Sequence, residues 1–216
     1  MLRIHHSLPL LIVVAVCSGC GVFGKAEKEA VPTTPYPPLV NALDEEYLHS
    51  PAGDVAARHP LGWLHVDITT IPMQNVLEVY TDPERAWALV LSELPATAEF
   101  RRSVERDGMA ALVDQSFAMK SAKLPGKLVI TRPTEIYTVN GKIFASYQYG
   151  DNSADSLHRK ENREILFTTG AKFYELGMIE LMQPKDPSEH LLNFRLLESV
   201  VASLEGAAEV REKDER

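Results

Sequence analysis

The sequence predicts an α+β fold, an antiparallel β-sheet with helices packed on it. Three observations lead there. Between residues 58 and 206, segments with strand periodicity come in adjacent pairs joined by turn residues, most clearly at Asn140-Gly141. Two other stretches carry helical spacing and helix-start signals. The apolar fraction of the 216-residue chain, 45%, is that of a packed globular protein.

Taken in order, residues 62–68 alternate, with Trp63 and His65 on one side and Leu64, Val66 and Ile68 on the other. Residues 76–80 give a second strand after Pro72. Thr81-Asp82-Pro83-Glu84-Arg85 reads as a turn, with proline in its second position. Asp82-Pro83 could instead cap a helix, but Trp87, Leu89 and Leu91 follow period two, so residues 86–93 are assigned to a strand that Pro95 closes. Thr97 is an N-cap for a helix running to about residue 118. Phe100 and Val104 mark one face of it, and Met109, Leu112, Val113, Ser116 and Phe117 another, so the helix kinks or breaks at Asp107-Gly108.

Strands at 127–131 and 134–139 are interrupted by Pro133, which implies a bulge or an edge position. Asn140-Gly141 turns the chain into a strand at 142–149, and 150–162 is a polar loop. Residues 164–168 and 172–182 form another hairpin about Thr169-Gly170-Ala171. Asp186-Pro187-Ser188-Glu189 then begins a helix, with a cap, proline at the first position and Glu three residues after the cap. Its buried stripe is Leu191, Phe194, Leu197, Val201 and Leu204, and Gly206 ends it.

The chain outside this region has a different character. Arg3 precedes an apolar run at residues 8–16, too short to cross a bilayer as a helix but suited to a signal peptide. Ser18-Gly19-Cys20 follows and resembles the lipobox of bacterial lipoproteins. That resemblance implies cleavage after residue 19 and acylation of Cys20, which attaches the chain to a membrane through its acyl chains. The lipobox position three before the cysteine, most often Leu, is here Cys17. By resemblance to enterobacterial lipoprotein sorting, Gly21 rather than Asp after the cysteine favours the periplasmic face of the outer membrane over the inner membrane. The expected organisation is a signal peptide at 1–19, a lipidated terminus and proline-rich tether at 20–57, the domain at 58–206 and a charged tail at 207–216. Within the tether, residues 39–48 could form a short docking helix.

The words around the predicted elements resemble a known superfamily, that of the PsbP-like proteins of photosystem II, the Mog-type Ran-binding proteins and the DcrB-type envelope lipoproteins. The matching features are His59-Pro60-Leu61-Gly62-Trp63, the hairpin into 86–93, the middle helix, Phe173-Tyr174-Glu175-Leu176, and the closing Ser199-Val200-Val201-Ala202-Ser203-Leu204. The resemblance implies an α/β/α sandwich serving as a binding or assembly module, and it transfers no catalytic residue.

The residue inventory points the same way. Both cysteines lie in the first twenty residues, so the domain has neither a disulfide framework nor a thiolate metal site. His49, His59, His65, His158 and His190 occur singly, without the spacing that puts two metal ligands on one helix face. Asp151-Asn152-Ser153-Ala154-Asp155 begins like a calcium loop but has Ser156 where glycine is needed and Asn162 where a bidentate Glu is needed. No nucleophile elbow, phosphate loop or dinucleotide fingerprint occurs. Trp63 and Trp87 are read as core, and Arg101, Arg102 and Arg106 as a solvated helix face paired with Glu99 and Glu105. With 30 acidic against 22 basic residues the net charge is −8, which repels nucleic acid. The expectation is a membrane-anchored envelope lipoprotein, not an enzyme, without cofactor or metal, that engages an envelope protein partner. The alternative is a periplasmic enzyme or small-ligand-binding protein whose site forms only in three dimensions.

Overall fold

The structure, a computed structural model, describes residues 36–69, 75–152, 159–170 and 172–205. The signal peptide, Cys17, Cys20 and the tail at 207–216 lie outside the described residues.

Among the described residues twelve elements follow one another: β1 (Leu43–His49), β2 (Ala56–Pro60), β3 (Leu64–His65), β4 (Val76–Thr81), β5 (Trp87–Leu94), α1 (Ala98–Asp107), α2 (Met109–Lys123), β6 (Leu128–Val139), β7 (Lys142–Asp151), β8 (Glu161–Thr169), β9 (Lys172–Glu180) and α3 (Ser188–Ala202). Seven strands make one antiparallel sheet in the order β3-β4-β5-β9-β8-β7-β6. Helix α3 and the separate β1–β2 hairpin cover one face, where Leu89, Leu91, Ile165, Leu176 and Met178 meet Phe194, Leu197, Val200 and Val201. Helices α1 and α2 cover the other, where Leu94, Ala145, Leu166 and Phe173 meet Phe100, Leu112 and Val113. The predicted α+β class, with helices on both faces of an antiparallel sheet, is the observed one.

Local chemistry explains the elements that match expectation. Thr97 Oγ1 accepts the Phe100 amide at 3.1 Å and so caps α1. Gly108, at φ 67°, separates α1 from α2 where the apolar stripe shifts. Asn140 and Gly141 both have positive φ, 50° and 77°, as a type I′ hairpin requires. At α3, Glu189 Oε1 accepts the Asp186 amide at 3.2 Å while Asp186 Oδ1 accepts the Ser188 amide at 2.9 Å. Pro133 sits in β6, the edge strand, and the β6–β7 register shifts on both sides of Arg132.

Four expectations are corrected. Residues 39–48 form no helix; residues 43–49 are the strand β1, paired with β2, because a ten-residue helix is marginal alone whereas the hairpin buries Leu48, Val55 and Ala57 against the core. The domain boundary expected at residue 58 consequently falls inside β2. The first sheet strand shrinks from residues 62–68 to Leu64–His65, since Gly62 at φ 76° turns the chain and Leu64 stays exposed. Leu191 is 53% exposed rather than part of the buried stripe of α3, since the helix crosses the sheet with its later turns against the core.

Candidate functional site

Strand β8 runs through the sheet beside β7 and β9, and its neighbours Arg163 and Glu164 are both fully buried. Because successive strand side chains point to opposite faces, the two charges enter different layers. Each finds a network of its own.

On the α3 face, Arg163 Nη2 donates to Glu198 Oε1 at 2.7 Å and to Ser146 Oγ at 3.1 Å. Tyr137 donates its hydroxyl to both Glu198 oxygens at 3.2 Å. Glu135 Oε2 lies 4.0 Å from Arg163 Nη1, beyond hydrogen-bond reach, so the Nε and Nη1 of this buried guanidinium have no hydrogen-bond acceptor among the described residues. The ring of Tyr36 covers it instead, 4.5 Å from the guanidinium carbon.

On the α2 face, Ser116 and Lys120 are four residues apart and therefore share a helix side. Lys120 Nζ lies 2.5 Å from Glu175 Oε1 and 3.4 Å from Glu164 Oε1. Ser116 donates to Glu175 Oε2, and its oxygen is 2.7 Å from the Tyr147 hydroxyl. Tyr149 donates to Glu164 Oε1 at 3.1 Å, while Glu164 Oε2 has no partner among the described residues. Two carboxylates thus share one ammonium. Burial, and then the charge of Glu175, push Glu164 up to about 8, with Lys120 opposing both. Burial pulls Lys120 down, but the two carboxylates outweigh it and hold the ammonium above its ordinary value. Glu164 pairs with Gly177 on β9, and a side chain there would run into its carboxylate.

The residues singled out from sequence are dispersed. His59 is buried and stacks on Tyr80 with ring centres 4.4 Å apart. His65 bonds Glu78 at 2.8 Å, and His190 bonds Glu180 at 2.9 Å. The bond from Glu180, against burial, raises His190 above its ordinary value. His49 lies beside Tyr47, and His158 falls outside the described residues. No group of three or more His, Cys, Asp or Glu among the described residues could hold a metal. Asp151 ends β7, but residues 153–158 of the acidic loop are outside the described residues. Trp87 is core, edge-on to His190 at 5.2 Å, and Trp63 packs partly buried against the same cluster. Arg106 pairs with its neighbour Asp107, rather than with Glu105, at 2.7 Å.

A cleft of about 540 Å³ opens at one end of the sheet, floored by Phe144, Phe167 and Leu204 and rimmed by Asp54, Lys142 and Thr169. Neither charge network lines it. Sequence reasoning missed Arg163, Glu164, Glu175 and Glu198. The available signal was charged residues inside segments that are otherwise strand or helix core, such as Glu161-Asn162-Arg163-Glu164 running directly into Ile165-Leu166-Phe167.

No protein-family model matches the sequence, and no curated protein matches it. The architecture does have a counterpart. Cyanobacterial PsbP (CyanoP) from Synechocystis aligns with a TM-score of 0.55 at 15% identity, over 88% of this chain and 98% of that one. A structure from Bacteroides thetaiotaomicron aligns with a TM-score of 0.43 at 12% identity, over 74% of this chain and 48% of that one. The CyanoP alignment alone gives the chain a PsbP-like fold.

Proposed function

We propose that this chain is a lipid-anchored module of the bacterial cell envelope that binds or helps assemble a protein complex and catalyses no reaction. The observation that carries the reading is where the ionisable groups go. Arg163, Glu164, Glu175 and Glu198 bond to one another's layers and to tyrosines between them, and none lines the sheet-end cleft, the cleft between residues 38–45 and α3, or the cleft around Lys185 and His190. A buried charge network that opens to none of these clefts serves cohesion between layers rather than proton transfer. The lipobox-like Ser18-Gly19-Cys20 supports anchoring through acyl chains, and Gly21 supports the outer membrane.

The anchor is tested by Cys20→Ser, which should move the protein from the detergent phase to the soluble one, while Cys17→Ser should not. An unmodified mature amino terminus in the wild type, read by mass spectrometry, overturns it.

A second reading, small-ligand binding, is favoured by the sheet-end cleft, whose volume and apolar floor fall in the range of small-molecule sites. Saturable binding of a small apolar ligand that Phe167→Ala abolishes, with the fold intact, distinguishes this reading from the first.

A further inference from the structure

Tyr36 does more than cover Arg163. Its ring also lies 5.4 Å from the Arg132 guanidinium and meets Phe194 edge-on at 5.6 Å. Its hydroxyl oxygen accepts from Gln148 Nε2 at 2.6 Å and from Arg132 Nη1 at 3.0 Å. Two guanidinium groups, an amide and an aromatic edge thus converge on one phenol, which is the inventory of a recognition pocket.

The segment that supplies the phenol belongs to no strand or helix. Residues 36–42 run along α3, where Arg195 Nε donates to the Pro37 carbonyl at 2.9 Å and the Leu39 amide donates to Ser199 Oγ at 2.8 Å. Pro37 and Pro38 have no amide to offer a sheet and favour extended backbone, before the chain turns at Val40 and Asn41, the latter at φ 55°. Val40 is 88% exposed. A short peptide with an aromatic anchor, proline-stiffened and lying against a helix, is one way domains hold ligands supplied by other proteins. Here the peptide is attached to the domain that holds it.

We propose that the groove along α3 is a peptide-binding site occupied in cis by residues 36–42, and that a proline-containing partner segment with a tyrosine takes the place of Tyr36. The inference rests on the binding-module reading and names the surface. Displacement would leave the buried Arg163–Glu198 pair in place and free the residues before β1, lengthening the tether by six steps between residues 36 and 42, about 20 Å when extended. A tethered occupant competes at an effective concentration of order millimolar, so a free peptide binds the intact chain weakly.

The test uses a fluorescent peptide of residues 36–42 and the full chain, read by anisotropy. Tyr36→Ala should bind the peptide at least tenfold more tightly than wild type, and Arg132→Gln added to that variant should remove most of the gain. The Leu39 amide of Tyr36→Ala should also exchange hydrogen faster than in wild type. No saturable binding to a folded Tyr36→Ala chain, or equal binding to both chains, overturns the proposal. A Tyr36→Ala chain that no longer melts cooperatively overturns it as well, because a strap the domain cannot lose is core. None of these outcomes bears on anchoring through Cys20, so failure here and failure of the anchor are separable.

Discussion

Arg163 and Glu164 are adjacent in sequence, both fully buried, and face opposite layers of the sheet, Arg163 toward Glu198 on α3 and Glu164 toward Lys120 on α2. One strand thus ties both helical layers to the sheet through buried polar contacts. Buried pairs are weak contributors to net stability but expensive to break singly, because the remaining charge stays desolvated.

Glu198→Ala should therefore destabilise the protein by about 3–5 kcal/mol, leaving Arg163 buried beside an empty position. Replacing both partners with Met should be far milder than the single change. Urea unfolding of the two variants checks this, and equal losses would show that the pair acts by shape alone.

Gly177→Ala places a methyl 2.5 Å from Glu164 Oε2 and 3.1 Å from its carboxyl carbon. Glu164 is held by Tyr149 and Lys120, so shifting it disturbs the network, and a loss of about 1–3 kcal/mol is expected. Glu164→Ala in the same chain should remove most of the penalty of Gly177→Ala. A thermal-melt double-mutant cycle with no coupling would mean the carboxylate moves aside freely.

The pH dependence follows from Glu164. Its folded value, about 8, exceeds the ordinary 4.5, so the folded chain holds a proton that the unfolded chain releases. This group's stabilisation is complete below pH 4.5 and falls as pH rises to about 8. His190, raised by Glu180, adds a loss in the same direction as pH rises through its folded value. Glu164→Gln should flatten the decline of the urea midpoint between pH 5 and pH 8, and an unchanged slope would assign the decline elsewhere.

A chain beginning at Val55 lacks β1 and leaves β2 without its partner strand. It also loses Leu48, whose full burial contributes about 1.5–3 kcal/mol. Such a chain should melt broadly at reduced temperature, and one beginning at Tyr36 should melt cooperatively. Calorimetry of the two decides whether the hairpin belongs to the domain.

Phe194 is buried among Tyr36, Trp87 and His190, so Phe194→Ala should be destabilising by about 3–5 kcal/mol. Leu191→Ala, three residues earlier, should change stability by less than about 0.5 kcal/mol because the side chain faces solvent. Similar losses at the two positions would place the buried face of α3 differently.

The sequence by itself determined what a few neighbouring residues can fix. Asn140-Gly141 made its hairpin because both residues tolerate positive φ, and Asp186 with Glu189 started α3 through bonds three residues apart. Gly108 broke the middle helix where the stripe shifted, and period-two alternation at Trp87, Leu89 and Leu91 marked a strand. Tertiary structure decided the rest. Residues 43–49 became a strand because β2 was there to pair with them and α3 to cover Leu48, neither visible within a local window. Arg163, Glu164, Glu175 and Glu198 were not singled out from the sequence, since burial of an ion depends on partners far along the chain: Glu198 is 35 residues from Arg163, and Glu175 is 55 from Lys120. Charge is legible residue by residue, but whether it meets water or its opposite is a property of the packed layers.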